Sequence, residues 1–115
     1  ILTSCNQKKY SFAIVKYQKT HDFGEITLKD TVNYIFKIKN ISKVDFKIRQ
    51  IGTGCGCTAA IIKDSIISEN ETTEIHIKYI PKKQDKGIGL IKNSIVIDGN
   101  TNPPFTTFYL TGKVN

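Results

Sequence analysis

Two thiols stand two residues apart in the stretch "GTGCGCTA", residues 52–59, as Cys55-Gly56-Cys57, in a chain with three cysteines. On an extended strand, residues i and i+2 share a face, so two thiolates at these positions converge on one point. Two soft sulfurs suit a low-coordinate soft ion such as Cu(I). They fall short of a zinc site, which takes four ligands, or three and a water. The two histidines, His21 and His76, show no ligand spacing to the pair, and methionine is absent. A metal would therefore have to borrow ligands from distant loops or a second chain. A disulfide across the three residues is the second option; its small ring is strained, strained bonds are the more reducible ones, and Gly56 eases the backbone. No C-x-x-C opens a helix to activate a thiol there. The third option is structural. Gly52, Gly54 and Gly56 make the stretch a backbone corner, with the cysteines as small apolar filler beneath a crossing between sheets. The glycine content favours the corner, and no cofactor is expected. A soft-metal or redox-disulfide site at Cys55 and Cys57 stands as the alternative.

Chemistry elsewhere is sparse, and the chain is not expected to be an enzyme. The carboxylates form no recognisable acid/base pair in sequence, and Ser42, Ser65, Ser68 and Ser94 lack a nucleophile elbow. Gly87-Ile88-Gly89 reads as a hairpin-like turn without the following helix that a phosphate cradle needs. Asp22 after His21 reads as an exposed turn pair.

The elements that must position these residues are strands. Tyr34, Phe36 and Ile38 alternate with Ile35, Lys37 and Lys39; Val44, Phe46 and Ile48 alternate with Asp45, Lys47 and Arg49. Ile75, Ile77 and Tyr79 alternate with Glu74, His76 and Lys78, and Ile95, Ile97, Phe108, Leu110 and Val114 read as inward in two further runs. "SFAIVKY" is the first strand. This period of two, rich in β-branched and aromatic residues, is that of half-buried strands, and no helical stripe competes with it. Turn chemistry at "HDFG", "KNISK", "GTGCG", "SENET", "PKKQDKGIG" and "DGNTNPP" separates the runs at the spacing of an all-β sandwich or barrel. Pro103 and Pro104 suit the entry to the last strand, because neither can donate to a ladder. The fold expected is an immunoglobulin-like antiparallel β-sandwich of about seven to eight strands. It forms one domain over residues 11–115, a length that a single core can fill.

The net charge of +7 does not identify a nucleic-acid binder. Among the basic residues only Arg49 is arginine, whereas base and phosphate readout favours the arginine fork, and the lysines are scattered. No nucleic-acid partner is expected. No apolar run reaches the roughly 20 residues of a membrane helix.

Leu2-Thr3-Ser4-Cys5 resembles the lipobox of bacterial lipoproteins: an aliphatic residue, two small residues, then a cysteine whose thiol accepts a diacylglycerol. The resemblance implies that Ile1 to Ser4 end a signal peptide and that Cys5 carries the lipid. Asn6-Gln7-Lys8-Lys9 then tether the domain within a segment 1–10. The address implied is the bacterial envelope, on the periplasmic or surface side of a membrane, with the membrane itself a partner through Cys5.

The run from "FGEITLKDTVNYIFKIKN" through "GTGCGCTAAII" to "FTTFYLTGKV" is similar to the bacterial domain-of-unknown-function family 1573. Phe23-Gly24-Glu25-Ile26 opening a strand, Phe36-Lys37-Ile38-Lys39-Asn40 ending one, Cys55-Gly56-Cys57-Thr58, the turn at Gly87 to Gly89 and Leu110-Thr111-Gly112-Lys113-Val114 carry the resemblance. It implies an immunoglobulin-like domain of a lipoprotein or secreted protein and confers no activity. The function expected is a non-catalytic envelope module that binds a protein or glycan through loops or an exposed sheet edge.

Overall fold

A computed structural model describes residues 12–54, 56–81 and 88–115. Cys5 with its flanking lipobox and tether, Cys55, and Gly87 of the turn at Gly87 to Gly89 lie outside the described residues.

Nine strands follow one another among these residues: β1 (Val15–Tyr17), β2 (Thr20–Ile26), β3 (Val32–Asn40), β4 (Phe46–Thr53), β5 (Thr58–Ile62), β6 (Ile66–Ile67), β7 (Thr72–Tyr79), β8 (Gly89–Gly99) and β9 (Phe105–Val114). They form two sheets, one of four strands in the order β1-β3-β7-β5 and one of five in the order β2-β9-β8-β4-β6. The molecule is a β-sandwich, as the period of two requires: each sheet turns one set of alternate residues to its partner and the other to water.

The inward set is Phe36 and Ile38 of β3, Ile75, Ile77 and Tyr79 of β7, Ile95 and Ile97 of β8, and Phe108, Leu110 and Val114 of β9, all buried. Each aliphatic side chain removed from water in this way contributes about 1.5–3 kcal/mol. Aromatic rings tie the two layers together: Phe36 lies 5.0 Å from Phe108 and Tyr17 lies 4.7 Å from Phe108, centroid to centroid, within the range of favourable tilted pairs. The long registers of β3 with β7 and of β8 with β9 are antiparallel and unbroken.

Several local expectations differ from the structure. The described residues hold nine strands rather than about seven to eight, because β5 and β6 are short runs whose alternation is too brief to recognise. "HDFG" lies inside β2 rather than forming a turn, and Phe23-Gly24-Glu25-Ile26 closes that strand rather than opening one. Gly24 adopts a φ of 83°, and the β2 register shifts between Asp22 and Glu25. This is a bulge, with Asp22 Oδ1 accepting the Gly24 N–H at 2.7 Å. His21 is accordingly a strand residue, stacked on Tyr34 at 3.6 Å, and not part of an exposed turn pair. The sandwich is not wholly antiparallel: β2 pairs with β9 in parallel at the edge of the five-stranded sheet. "SFAIVKY" supplies a strand of only three residues. Val44 precedes β4 and lies in the bend before it.

Candidate functional site

Residues 54–57 carry the chain from the end of β4, in the five-stranded sheet, to the start of β5, in the four-stranded one. Gly54 enters this crossing close against β8, donating its N–H to the Ser94 carbonyl at 3.0 Å. A Cβ on Gly54 would stand 2.7 Å from Ser94 Oγ, so the glycine answers to this approach. Neither Gly52 nor Gly54 uses a positive φ. Gly52 meets open space on β4, and Gly56 is exposed in the turn.

Cys57 ends the crossing at 3% exposure. Its sulfur is in a disulfide, and its carbonyl accepts the Ile80 N–H at 2.9 Å, pinning the crossing to the end of β7. Beside it Thr58 is buried, its Oγ1 3.8 Å from Cys57 Sγ and its carbonyl accepting Thr53 Oγ1 at 3.1 Å. Tyr79, paired with Thr58 across the ladder, and the inward Asn93 belong to the same end of the sandwich. Asn93 is 8% exposed, and its Nδ2 has no hydrogen-bond partner among the described residues. Among the described residues, no three His, Cys, Asp or Glu side chains gather where they could hold a metal ion.

The crossing delivers the chain into β5, an edge strand, and the outer face of the four-stranded sheet there departs from an ordinary polar surface. Ile35 of β3, His76 of β7 and Ile61 of β5 stand opposite one another in a single cross-strand row. Ile35 is 41% exposed and Ile61 69%. The next row is Asn33, Lys78 and Ala59, so small side chains flank Lys78 on both sides. Together these residues bound a shallow depression of about 490 Å³. His76 Nε2 lies 3.0 Å from Glu74 Oε1. Lys16, Lys37, Lys39 and Lys78 are exposed on the outer face of this sheet, and Glu74 is the acidic residue on its strands that opposes them. Sequence reasoning missed this surface. Its signal was present in the apolar residues Ile35 and Ile61, which stand at the outward positions of their strands.

A family model described as "Protein of unknown function (DUF1573)" matches residues 14–114. A comparison with curated proteins finds no match. Among solved structures, a protein of unknown function from Porphyromonas gingivalis W83 superposes with a TM-score of 0.80 at 16% identity, covering 90% of this chain and 47% of its own. The chain thus spans about half the length of that relative. The PapD-like domain 7 of human CEP192, an ASH / PapD-like domain, gives 0.66 at 11% identity, covering 91% of this chain and 86% of its own. The secreted serine protease VesC from Vibrio cholerae gives 0.67 at 10% identity, covering 94% of this chain and 24% of its own. At these identities the likeness is one of fold.

Proposed function

The chain belongs to the DUF1573 family of proteins of unknown function, and from that membership we propose a non-catalytic envelope domain, lipid-anchored through Cys5, that holds a protein or glycan partner. The observation that carries the binding role is the exposed row of Ile35, His76 and Ile61 on a sheet face otherwise dominated by lysine. An apolar strip rimmed by charge is the usual make-up of a recognition surface. The lipobox-like Leu2-Thr3-Ser4-Cys5 supports the anchor, and the anchor supports the envelope address.

A photo-crosslinking residue placed at Ile35 in living cells tests the binding role. It should capture a discrete partner, whereas the same residue at Leu90, 87% exposed on the other sheet, should not. Equal capture from both positions, or from neither, contradicts the reading. Labelled palmitate should appear on the full-length protein and vanish in Cys5→Ala.

A second reading has one observation in its favour. The disulfide at Cys57 supports a redox role for Cys55 and Cys57. Against it stands the 3% exposure of Cys57, since a reducing thiolate must reach the sulfur it attacks. Thiol counting by mass spectrometry on folded protein, before and after treatment with a dithiol, separates the two. Rapid reversible reduction without unfolding favours the redox role, and resistance favours the structural one.

A further inference from the structure

We propose that the edge of β5, which no other strand among the described residues pairs with, accepts an extended acidic peptide segment of a partner protein as an added antiparallel strand, a site that deepens the binding role proposed above and rests on it. The two sheets end in four edge strands, β1 and β5 in one and β2 and β6 in the other. A strand edge is a template for pairing, and folded proteins protect such edges with shortness, charge or bulges. β1 is three residues long and carries Lys16 outward, and β6 has two residues. β2 is broken by the Gly24 bulge and lined with Asp22 and Glu25. β5 has none of these devices: it runs for five residues, Thr-Ala-Ala-Ile-Ile, with no charge and an unshifted register to β7.

The ladder also shows which backbone groups β5 has to offer. Ile80 N–H donates to the Cys57 carbonyl and Lys63 N–H to the Glu74 carbonyl, so the odd-numbered residues of this segment bond to β7. In an antiparallel pair the bonding residues alternate. The N–H and C=O of Ala60 and Ile62 therefore point away from β7, toward the open edge. The Thr58 carbonyl is already engaged by Thr53 Oγ1, so Ala60 and Ile62 form the usable core of the edge.

Side chains set the chemistry of the occupant. An added strand would place one set of its alternate residues on the outer face, beside Ala59, Ile61 and Lys63. Ile61, 69% exposed, offers an apolar surface on which the methylene stem of an outward glutamate can pack. Lys63 is exposed at the end of β5, and Lys78 lies directly beside Ala59, whose methyl group leaves room for the longer side chain to reach across. Both lysines call for carboxylates. Charge decides among occupants: with a net +7 per chain and lysines flanking the edge, a second copy brings like charge to like, whereas an acidic segment is complementary.

The test uses two fluorescein-labelled decapeptides, one alternating glutamate with valine and one alternating lysine with valine, titrated with the full chain and read by fluorescence anisotropy. The glutamate peptide is expected to bind saturably, to weaken as salt rises, and to lose about tenfold or more in affinity on Ala60→Pro, which removes an outward N–H. Lys78→Glu should weaken it as well, and the lysine peptide should not bind. Ile61→Glu, at an exposed position, gives a second variant should Ala60→Pro fail to fold, and should show the same loss. Absence of saturable binding up to about 1 mM, equal binding of both peptides, or full binding by folded Ala60→Pro or Ile61→Glu would overturn the proposal. A dimer seen by sedimentation and dissolved by Ala60→Pro would overturn it too, by assigning the edge to a second copy. If the partner captured through Ile35 is still captured by folded Ala60→Pro, the binding role stands and the edge proposal alone falls.

Discussion

Asn40 ends β3 with every polar atom of its side chain engaged. Nδ2 donates to the carbonyls of Val44 and Ile67 at 2.8 and 2.9 Å, and Oδ1 accepts from Ser42 N and Ser42 Oγ at 2.9 and 2.7 Å. A fully buried amide holding a loop and the short strand β6 in this way has no replacement when truncated. Asn40→Ala should cost about 2–4 kcal/mol, since several carbonyls and amides lose partners at once. Urea unfolding measures this, with an unchanged slope expected. Cys57 is the other residue whose neighbours set its role. Its disulfide constrains the unfolded chain, so reductant should lower the melting temperature of the wild type and leave Cys57→Ser, already lower, unmoved. The spacing Cys55-Gly56-Cys57 left metal, disulfide and corner open, because a thiol's partner is a matter of tertiary neighbours. No local pattern announces the contact between Gly54 and Ser94 that shapes the crossing.

At the scale of elements, legibility followed burial. β3, β7, β8 and β9 each bury one face, so their alternation is long and clean, and their inward residues could be read directly. "HDFG" reads as a turn before a strand at Phe23-Gly24-Glu25-Ile26, because the bulge at Gly24 breaks the alternation of β2 and supplies the residues of a turn. β5 and β6 do not stand out in the sequence, because five residues and two residues carry too little period. The order of strands, and the parallel pairing of β2 with β9, depend on contacts far apart in sequence. The phase of β5 yields a paired prediction. Ala60→Pro removes an N–H that faces the open edge and should move the melting temperature little. Ala59→Pro removes one that faces β7 and should cost about 1–3 kcal/mol. Thermal unfolding of the two variants side by side checks the phase, and a reversed order would show that the edge presents the other residues.

For the whole molecule, the two sheets divide the work. The five-stranded sheet contributes the long β8–β9 ladder and the parallel edge strand, and the four-stranded sheet carries the apolar row and the unguarded edge beside the Cys57 crossing. The measurement that tests the central claim most directly is amide hydrogen exchange, residue by residue, with and without the glutamate–valine decapeptide. Strand addition at β5 predicts slowed exchange at Ala60 and Ile62, with the amides of β1, the opposite edge, unchanged. Unaltered exchange at Ala60 and Ile62 under saturating peptide, or protection appearing at β1 instead, would contradict it.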